Sequence, residues 1–86
     1  MTDHYVYILY SVTREQYYTG FTHDLETRLF KHNAGSTPST RPGIPWRMVY
    51  SETFKNKHDA IRRESEIKKR KSRIYIEKLI AQIRVV

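Results

Sequence analysis

Five side chains from separate stretches of the chain have the chemistry needed to cleave a phosphodiester bond without a nucleophilic side chain. They are Tyr7, Tyr18, Arg28, His32 and Glu64. An arginine neutralises the charge that gathers on the phosphate through paired hydrogen bonds. A carboxylate holds a hard divalent metal ion, which stabilises the leaving oxygen. A tyrosine or histidine takes a proton from the attacking water when its surroundings shift its pKa.

Simpler structural roles compete with this interpretation. The tyrosines could serve only in packing, because tyrosine packs well across antiparallel strands. Arg28 could form a salt bridge with Glu64, and His32 could lie at the negative end of its helix. Glu64 could also pair with Lys68 four residues later, although its helical face is otherwise apolar. Glu66, the competing carboxylate, lies on the other side of that helix and is expected to face solvent.

A β-hairpin must position the two tyrosines. Residues 5–10 and 17–20 are rich in aromatic and β-branched side chains, which indicates two strands joined by a short polar loop. Strand alternation assigns the side chains to two faces. One face carries Tyr5, Tyr7 and Leu9, and the other carries Val6, Ile8 and Tyr10.

A first helix must position the arginine and the histidine. It is predicted to begin after a cap at Thr22 or Asp24 and to end at Gly35 in a left-handed conformation. Helical periodicity places four side chains on its inward side. They are Leu25, Arg28, Leu29 and His32.

The second half of the chain predicts a loop, a strand and two helices. Residues 36–45 contain three prolines and several hydroxyls and are expected to lack regular structure. Residues 46–54 predict a third strand, with Met48 and Tyr50 alternating with Val49. Asn56 and Ser72 are the predicted caps of the second and third helices. Four apolar side chains form the inward stripe of the third helix: Ile76, Leu79, Ile80 and Ile83.

These elements predict an α+β fold in the order β-β-α-β-α-α, with a small, mainly antiparallel three-stranded sheet flanked by helices. The 86 residues correspond to a single domain, residues 1–86, with a small core. Cysteine is absent, so disulfides and thiolate metal sites are excluded. The sequence contains no apolar run long enough to span a membrane and no secretory leader, and we expect a soluble cytoplasmic protein without membrane association.

The charge balance indicates a polyanionic partner. Sixteen Lys and Arg residues oppose nine Asp and Glu residues, giving a formal charge of +7. At this size nucleic acid is the commonest such partner, although a basic domain kept soluble by its charge is the alternative. The candidate phosphate contacts, which could also be a solvated helix end, are Lys31, Arg41, Arg47, Arg62, Arg63, Lys68, Lys69, Arg70, Lys71 and Arg73.

The ordered motifs resemble the GIY-YIG endonuclease superfamily, most closely its small stand-alone bacterial YhbQ-like group. The name-giving signature corresponds to residues 5–7 and 18–20, about ten residues apart. Residues 22–35 are similar to the family's helix, with an arginine and a histidine four apart. Residues 45–52 are similar to its third strand, and residues 60–68 to the segment with the metal-binding glutamate. The resemblance covers roughly residues 4–80.

The resemblance implies a role for each candidate residue. Tyr7 and Tyr18 line the cleft, and one of them, which the sequence does not decide, orients or deprotonates water. Arg28 binds the scissile phosphate and His32 assists proton transfer. Glu64 is the sole protein ligand of Mg²⁺ or Mn²⁺. The implied function is metal-dependent endonuclease cleavage of DNA, or RNA, with low sequence specificity in repair or processing, without a small-molecule cofactor.

The sequence also departs from the family's pattern. The first Gly of the signature is Tyr5, its Ile is Val6 and its second Ile is Thr19, which preserves strand propensity. No asparagine follows Asn56, whereas many family nucleases carry one downstream of the glutamate, so the catalytic efficiency stays open. A nucleic-acid-binding module that does not cleave, or a scaffold for a protein partner, are the alternative functions.

Overall fold

The computed structural model describes residues 3–82 and confirms the α+β architecture. Between the second and third strands the chain also forms one short 3₁₀ helix, Arg41–Gly43. The strands and α-helices follow in the predicted order: β1 (His4–Ser11), β2 (Gln16–Thr22), α1 (Leu25–Asn33), β3 (Trp46–Phe54), α2 (Lys57–Arg70) and α3 (Arg73–Gln82).

The sheet is antiparallel with the strand order β2-β1-β3, so the first strand of the hairpin is central. Tyr7 pairs with Gly20 on β2 and with Ser51 on β3, and Tyr10 pairs with Tyr17. The edge position of β2 leaves its outer side without a strand partner. Residues 18–20, the second half of the signature, therefore lie on an edge strand of the sheet.

The side chains of β1 alternate between two faces as predicted, and both faces are buried. Val6, Tyr7, Ile8 and Leu9 are each at most 1% exposed. The Val6 and Ile8 face packs against α2 and α3, and the Tyr7 and Leu9 face packs against α1 and Trp46. A central strand that is covered on both sides places the tyrosine beneath α1 and the main apolar core beneath α2.

The predicted alternation of β3 is wrong at one point. A β-bulge opposite Ile8 and Leu9 inserts an extra residue, so Met48 pairs with Leu9 while Tyr50 pairs with Ile8. Met48 therefore packs on the Tyr7 face, whereas Val49 and Tyr50 both pack on the opposite face. A bulge places two residues opposite one and breaks the period of two on which the prediction depended.

The helix ends agree with the predicted caps. The side chains of Asp24, Asn56 and Ser72 each accept a hydrogen bond, of 2.9 to 3.1 Å, from the backbone N–H three residues later. Gly35 has φ of +81°, a left-handed conformation that other residues adopt only with strain. Both flanks of α1 are thus fixed, which sets the positions of the side chains on its inward face.

The loop at 36–45 has more structure than predicted. Besides the 3₁₀ helix, the loop contains a buried residue, Thr40, which is only 2% exposed.

The inward stripe of α3 agrees with the prediction within the described residues. Leu79 is buried and Ile76 and Ile80 pack beside it, while the fourth predicted member, Ile83, lies outside the described residues. None of the described helices has the length and apolar character needed to cross a membrane.

Candidate active site

The Tyr7 side chain lies across the edge strand at Gly20. A Cβ atom added to Gly20 would be 2.5 Å from the Tyr7 hydroxyl oxygen and 2.7 Å from Cζ, both closer than real Cβ contacts allow. Because the ring is buried, it has no space into which to retreat. A glycine at this position is therefore what allows the hydroxyl of a central strand residue to reach the edge of the sheet.

Helix α1 brings Arg28 and His32 to that hydroxyl. Nε2 of His32 lies 2.9 Å from the Tyr7 hydroxyl oxygen, and Nε of Arg28 donates to the same oxygen at 3.4 Å. The two side chains are one helical turn apart, so they contact neighbouring sides of one atom. Tyr7, Arg28 and His32 thus form a single hydrogen-bonded cluster, as their shared helical face indicated.

The hydrogen bonds of Thr40 define the tautomer of His32. The hydroxyl of Thr40 donates to the carbonyl of Thr37 at 3.2 Å, and Nδ1 of His32 lies 2.8 Å from the same hydroxyl oxygen. When the Thr40 hydroxyl donates its only proton to Thr37, it accepts from Nδ1–H, so this pair of contacts favours the Nδ1–H tautomer. Nε2 is then unprotonated and accepts the hydroxyl proton of Tyr7.

Burial and charge keep this cluster uncharged except at the guanidinium. Burial raises the pKa of Tyr7, while its hydrogen bond with Arg28 acts in the opposite direction. Burial, and then the charge of Arg28, lowers the pKa of His32. The hydrogen bond to Tyr7 raises the pKa of Arg28. At neutral pH the cluster is a phenol, a neutral imidazole and a guanidinium, with a proton acceptor ready beside the phenol.

The loop that carries Thr40 is anchored at two points by Trp46. The indole Nε1 donates to the Thr40 carbonyl at 2.7 Å. The side chain of Asn33, at the end of α1, accepts from the backbone N–H of Trp46 at 2.6 Å and donates to its carbonyl at 3.0 Å.

Asn33 and Thr40 were not predicted from the sequence as residues of the site. A buried histidine needs partners for both nitrogens, and the hydroxyls of the loop were the signal that could have indicated one.

Tyr18 forms the outer wall of the cluster. Its ring centroid lies 5.0 Å from that of His32 in an edge-to-face arrangement and 6.4 Å from that of Tyr7. Tyr18 is half-buried, whereas Tyr7 is only 1% exposed. Its hydroxyl has no hydrogen-bond partner among residues 3–82. The two signature tyrosines therefore occupy different environments, one bonded and internal, the other open to solvent.

Glu64 lies on α2, the helix that packs on the opposite face of the sheet. Its charge contributes to the raised pKa of Tyr7. The carboxylate is 17% exposed and its Oε2 lies 3.1 Å from Nζ of Lys68, so the alternative i, i+4 pair is formed, although the apolar character of this helical face argued against it. The alternative pair between Arg28 and Glu64 is not found among residues 3–82. Nζ of Lys68 lies 5.8 Å from the Tyr18 ring centroid, next to the cluster.

The donor set fits a divalent ion that is shared with a substrate. Residues 3–82 contain no group of three or more His, Cys, Asp or Glu side chains that could enclose a metal. Mg²⁺ commonly keeps several waters and binds through one or two carboxylates plus substrate phosphates. Glu64, a single carboxylate at the edge of the cluster, suits that type of site and no dedicated protein cage.

The chain matches a known protein family over most of its length. Residues 3–78 match the family described as the GIY-YIG catalytic domain. The chain belongs to the GIY-YIG family. The family membership predicted from residues 5–7, 18–20 and 60–68 is therefore confirmed.

Individual relatives of this GIY-YIG domain are small UPF0213 proteins, as predicted for the stand-alone group. A UPF0213 protein of Natronomonas pharaonis is 44% identical over 80 residues, which covers 92% of this chain and 92% of the relative. One from Staphylococcus haemolyticus is 43% identical over 72 residues, covering 79% of this chain and 83% of the relative. The solution structure of a Bacillus halodurans UPF0213 protein has a TM-score of 0.57 and 38% identity, and covers 93% of this chain and 84% of that one. None of these names states a reaction.

Three of the candidate phosphate contacts in this GIY-YIG domain adjoin Tyr18. Lys68, Lys71 and Arg73 line a surface groove together with Tyr17 and Tyr18. We call this the β2 groove, because it runs between the edge strand and the α2–α3 junction. Of these three, Lys68 approaches the cluster, with Nζ 5.8 Å from the Tyr18 ring centroid.

Other candidate contacts on α2 lie on a different side of the helix. Arg62 and Lys69 line a separate hollow with His58, and Arg62 pairs weakly with Asp59 at 3.9 Å. The guanidinium of Arg70 stacks on Tyr75, with Cζ 4.3 Å from the ring centroid. The basic end of α2 is therefore divided between two surfaces.

The remaining exposed candidates are scattered. Lys31 lies on α1, and Arg41 donates from Nε to the carbonyl of Gly35 at 3.0 Å. Arg47 is exposed and pairs with Tyr10 across the sheet, so its side chain projects from the face opposite Tyr7. The candidate phosphate contacts therefore do not form one continuous basic surface.

Arg63 is occupied by structural contacts. Its Nε and Nη2 donate to the Glu52 carboxylate at 2.9 and 3.0 Å, and Nη1 donates to the Tyr75 hydroxyl at 3.0 Å and to Glu66. Burial and the hydrogen bond to Glu52 raise the pKa of Tyr50 to about 12. Glu66 is exposed, as expected. The prediction that Arg63 contacts nucleic acid does not fit this network, which instead joins β3, α2 and α3.

Proposed function

We propose that this GIY-YIG domain is a metal-dependent endonuclease that hydrolyses phosphodiester bonds in DNA. The single observation that carries the proposal is the hydrogen-bonded meeting of Arg28, Tyr7 and His32 on one atom, the Tyr7 hydroxyl oxygen. A phosphate-binding guanidinium beside a phenol that already has a proton acceptor is the pair of functions that hydrolysis requires. Family membership supports the same reaction class.

In the proposed mechanism Tyr7 takes the proton of the attacking water. Its own hydroxyl proton passes to Nε2 of His32 at 2.9 Å, which leaves an imidazolium whose Nδ1–H stays bonded to Thr40. Tyr18, at the solvent side, orients the water and covers the site. The proposal gives the role of base to Tyr7 because it is the tyrosine with a proton acceptor.

Arg28 binds the scissile phosphate in this mechanism. Only its Nε is engaged, with Tyr7, and its terminal nitrogens have no hydrogen-bond partner within residues 3–82. Two N–H groups of the planar guanidinium are thus available for a bidentate contact with phosphate oxygens. That contact stabilises the negative charge that develops during attack.

Glu64 is the proposed metal ligand. A Mg²⁺ or Mn²⁺ ion held there together with substrate phosphate would supply positive charge to the leaving oxygen. Lys68, which pairs with Glu64 in the free protein, would then be available to contact a phosphate of the substrate.

Cleavage assays test the proposal directly. The protein should cut a panel of duplex, branched and damaged DNA with Mg²⁺ or Mn²⁺, and Glu64→Gln and Arg28→Lys should each lower the rate by about 100-fold or more. Glu66→Gln removes the same charge two residues away and should retain activity. A folded wild-type protein that cuts no member of the panel, or RNA, with either ion would refute the proposal.

A second function has one specific observation in its favour. The Glu64 carboxylate is paired with Lys68 at 3.1 Å, an arrangement that also suits a nucleic-acid-binding module without a metal. Such a module would bind DNA with strong salt dependence and would be insensitive to Glu64→Gln. Binding without cleavage in the same panel would favour it over the endonuclease.

A further inference from the structure

The β2 groove is a surface cavity of about 490 Å³, and the proposed mechanism uses only Tyr18 and Lys68 from its lining. It begins at Tyr18, the outer wall of the site, and continues along the outer side of β2. Because β2 is the edge strand, no other strand of the sheet covers this side. The groove and the Tyr7 cluster therefore share one residue, Tyr18, which lines the groove and lies against His32.

The lining of the groove combines apolar, aromatic and cationic groups. Ile67 and Ile76 contribute aliphatic surface between the strand and the helices. Nζ of Lys68 lies 5.8 Å from the Tyr18 ring centroid, and Cζ of Arg73 lies 5.2 Å from that of Tyr17. Each tyrosine ring thus has a cation beside it.

The charges of the groove favour a polyanion. Its described lining contains three cations, Lys68, Lys71 and Arg73, and one acid, Glu15. Arg73 is partly engaged, because it pairs with Glu77 at 3.1 Å and donates to the Glu15 carbonyl at 2.7 Å. Lys71 has no ion-pair partner in the described part of the chain and is exposed. Its ammonium group is therefore available to contact an anionic ligand.

The size of the groove suits a short stretch of one strand. A volume of about 490 Å³ is that of a site for a small molecule. One or two nucleotides fit such a volume. Paired cations and tyrosines are also what proteins use to hold single strands, with bases stacked on rings and phosphates near cations.

We propose that the β2 groove binds an unpaired nucleic-acid strand that adjoins the scissile phosphate. The inference rests on the proposed function for the position of that phosphate. Its consequence is a substrate class: nucleic acids with a single-stranded segment next to the cut, such as tailed or branched duplexes, are preferred over blunt duplexes. The strand lies with its phosphates at Lys68, Lys71 and Arg73 and a base against the tyrosine rings.

Binding measured without metal tests this inference independently of cleavage. Fluorescence anisotropy in EDTA would compare a blunt duplex with the same duplex carrying an eight-thymidine tail, at several salt concentrations. We expect about fivefold or tighter binding of the tailed duplex, since stacking contributes substantially for each base. A 2-aminopurine placed in the tail next to the junction should be quenched on binding.

Two neighbouring lysines provide a matched pair of variants. Lys71→Gln should remove most of the tail preference and reduce the salt slope by about 0.7, the value for one single-strand phosphate contact. Lys69→Gln removes the same charge from the other surface of α2, where Lys69 lines a separate hollow, and should leave the preference unchanged. Circular dichroism would establish that both variants are folded.

Three results would overturn the inference: equal affinity for tailed and blunt duplexes, equal effects of the two lysine variants, or tighter binding of an acidic peptide than of the tailed duplex. Tail preference that depends on Lys71 in a protein that cleaves nothing would support the groove and refute the endonuclease. Cleavage without any tail preference would do the reverse. The two proposals therefore fail separately.

Discussion

The hydroxyl of Tyr7 lies 2.9 Å from Nε2 of His32, and the orientation of this hydrogen bond is set by a residue on neither element, Thr40. The imidazole accepts from the phenol because its other nitrogen donates to the threonine. A tyrosine with a neutral acceptor can give up its proton while it receives another from water. The relationship distinguishes Tyr7 from Tyr18, which has no such acceptor among the described residues.

Thr40 should control the proton transfer through the tautomer of His32. Thr40→Val keeps the volume but leaves a buried Nδ1–H without an acceptor, which costs about 1–3 kcal/mol and removes the preference for the Nδ1–H tautomer. We expect a mixture of tautomers in ¹⁵N NMR spectra of His32 and a shifted pH profile of cleavage. Thr40→Ser retains the hydroxyl and should restore both. Identical spectra for the valine and serine variants would contradict this role.

The two signature tyrosines should differ in their contributions to catalysis. Tyr7→Phe removes the group that exchanges protons with water and should lower the cleavage rate by about 100-fold or more. Tyr18→Phe removes a hydroxyl without a described partner and should have a smaller effect. Single-turnover rates of both variants would measure the difference, with thermal unfolding as the control for folding. A larger loss in Tyr18→Phe would transfer the role of base to Tyr18.

Replacing Gly20 with a larger residue should destabilise the fold, because the Tyr7 ring occupies the space beside it. A Cβ at Gly20 would be 2.5 Å from the Tyr7 hydroxyl oxygen, and overpacking of this kind costs about 1–3 kcal/mol. Urea unfolding of Gly20→Ala would measure the loss. In a Tyr7→Ala background the same change should cost little, because the clashing ring is absent. Additive losses in the double variant would show that the two residues are independent.

His32 should make the fold sensitive to mild acid. Its pKa in the folded protein is lowered from about 6.5, chiefly by burial, so the unfolded chain binds a proton that the folded chain does not. The free energy of unfolding should therefore fall as pH decreases below about 6.5, until the lowered pKa is reached, and should be unaffected by this group above that value. Urea unfolding at pH 7.5, 6.5 and 5.5 would measure the slope.

The matched controls for this pH dependence are two histidine variants. His32→Asn should reduce the slope in that range, although it lowers stability at every pH. His23→Gln, at an exposed position before α1, should leave the slope unchanged. An unchanged slope in His32→Asn would assign the acid sensitivity to other groups.

Local patterns were sufficient to predict the elements and the motif residues. Strand alternation in residues 5–10 and the four-residue spacing of Arg28 and His32 follow from backbone geometry, so the hairpin, α1 and their inward side chains could be predicted. The caps at Asp24, Asn56 and Ser72 are equally local. The family motif added Glu64, whose position depends on how α2 packs and not on periodicity.

The contacts that could not be predicted join residues far apart in the chain. Thr40 lies in a loop whose path is set by Trp46 and Asn33, and no periodic pattern connects these three. The bulge at β3 appears only when the strand pairs with β1. Arg63 looked like a surface cation because its partners, Glu52 and Tyr75, are brought to it by tertiary packing alone.

The double burial of β1 has a consequence for how such a gene can change. Alternate residues of this strand belong to two separate core clusters, one of which contains Tyr7, so inserting or deleting one codon within the strand would exchange the two sets in a single event. Neither face of the strand has the space to pack the side chains of the other face. Length variation in descendants of this sequence is thus confined to the turns, and the chemistry is inherited together with the core.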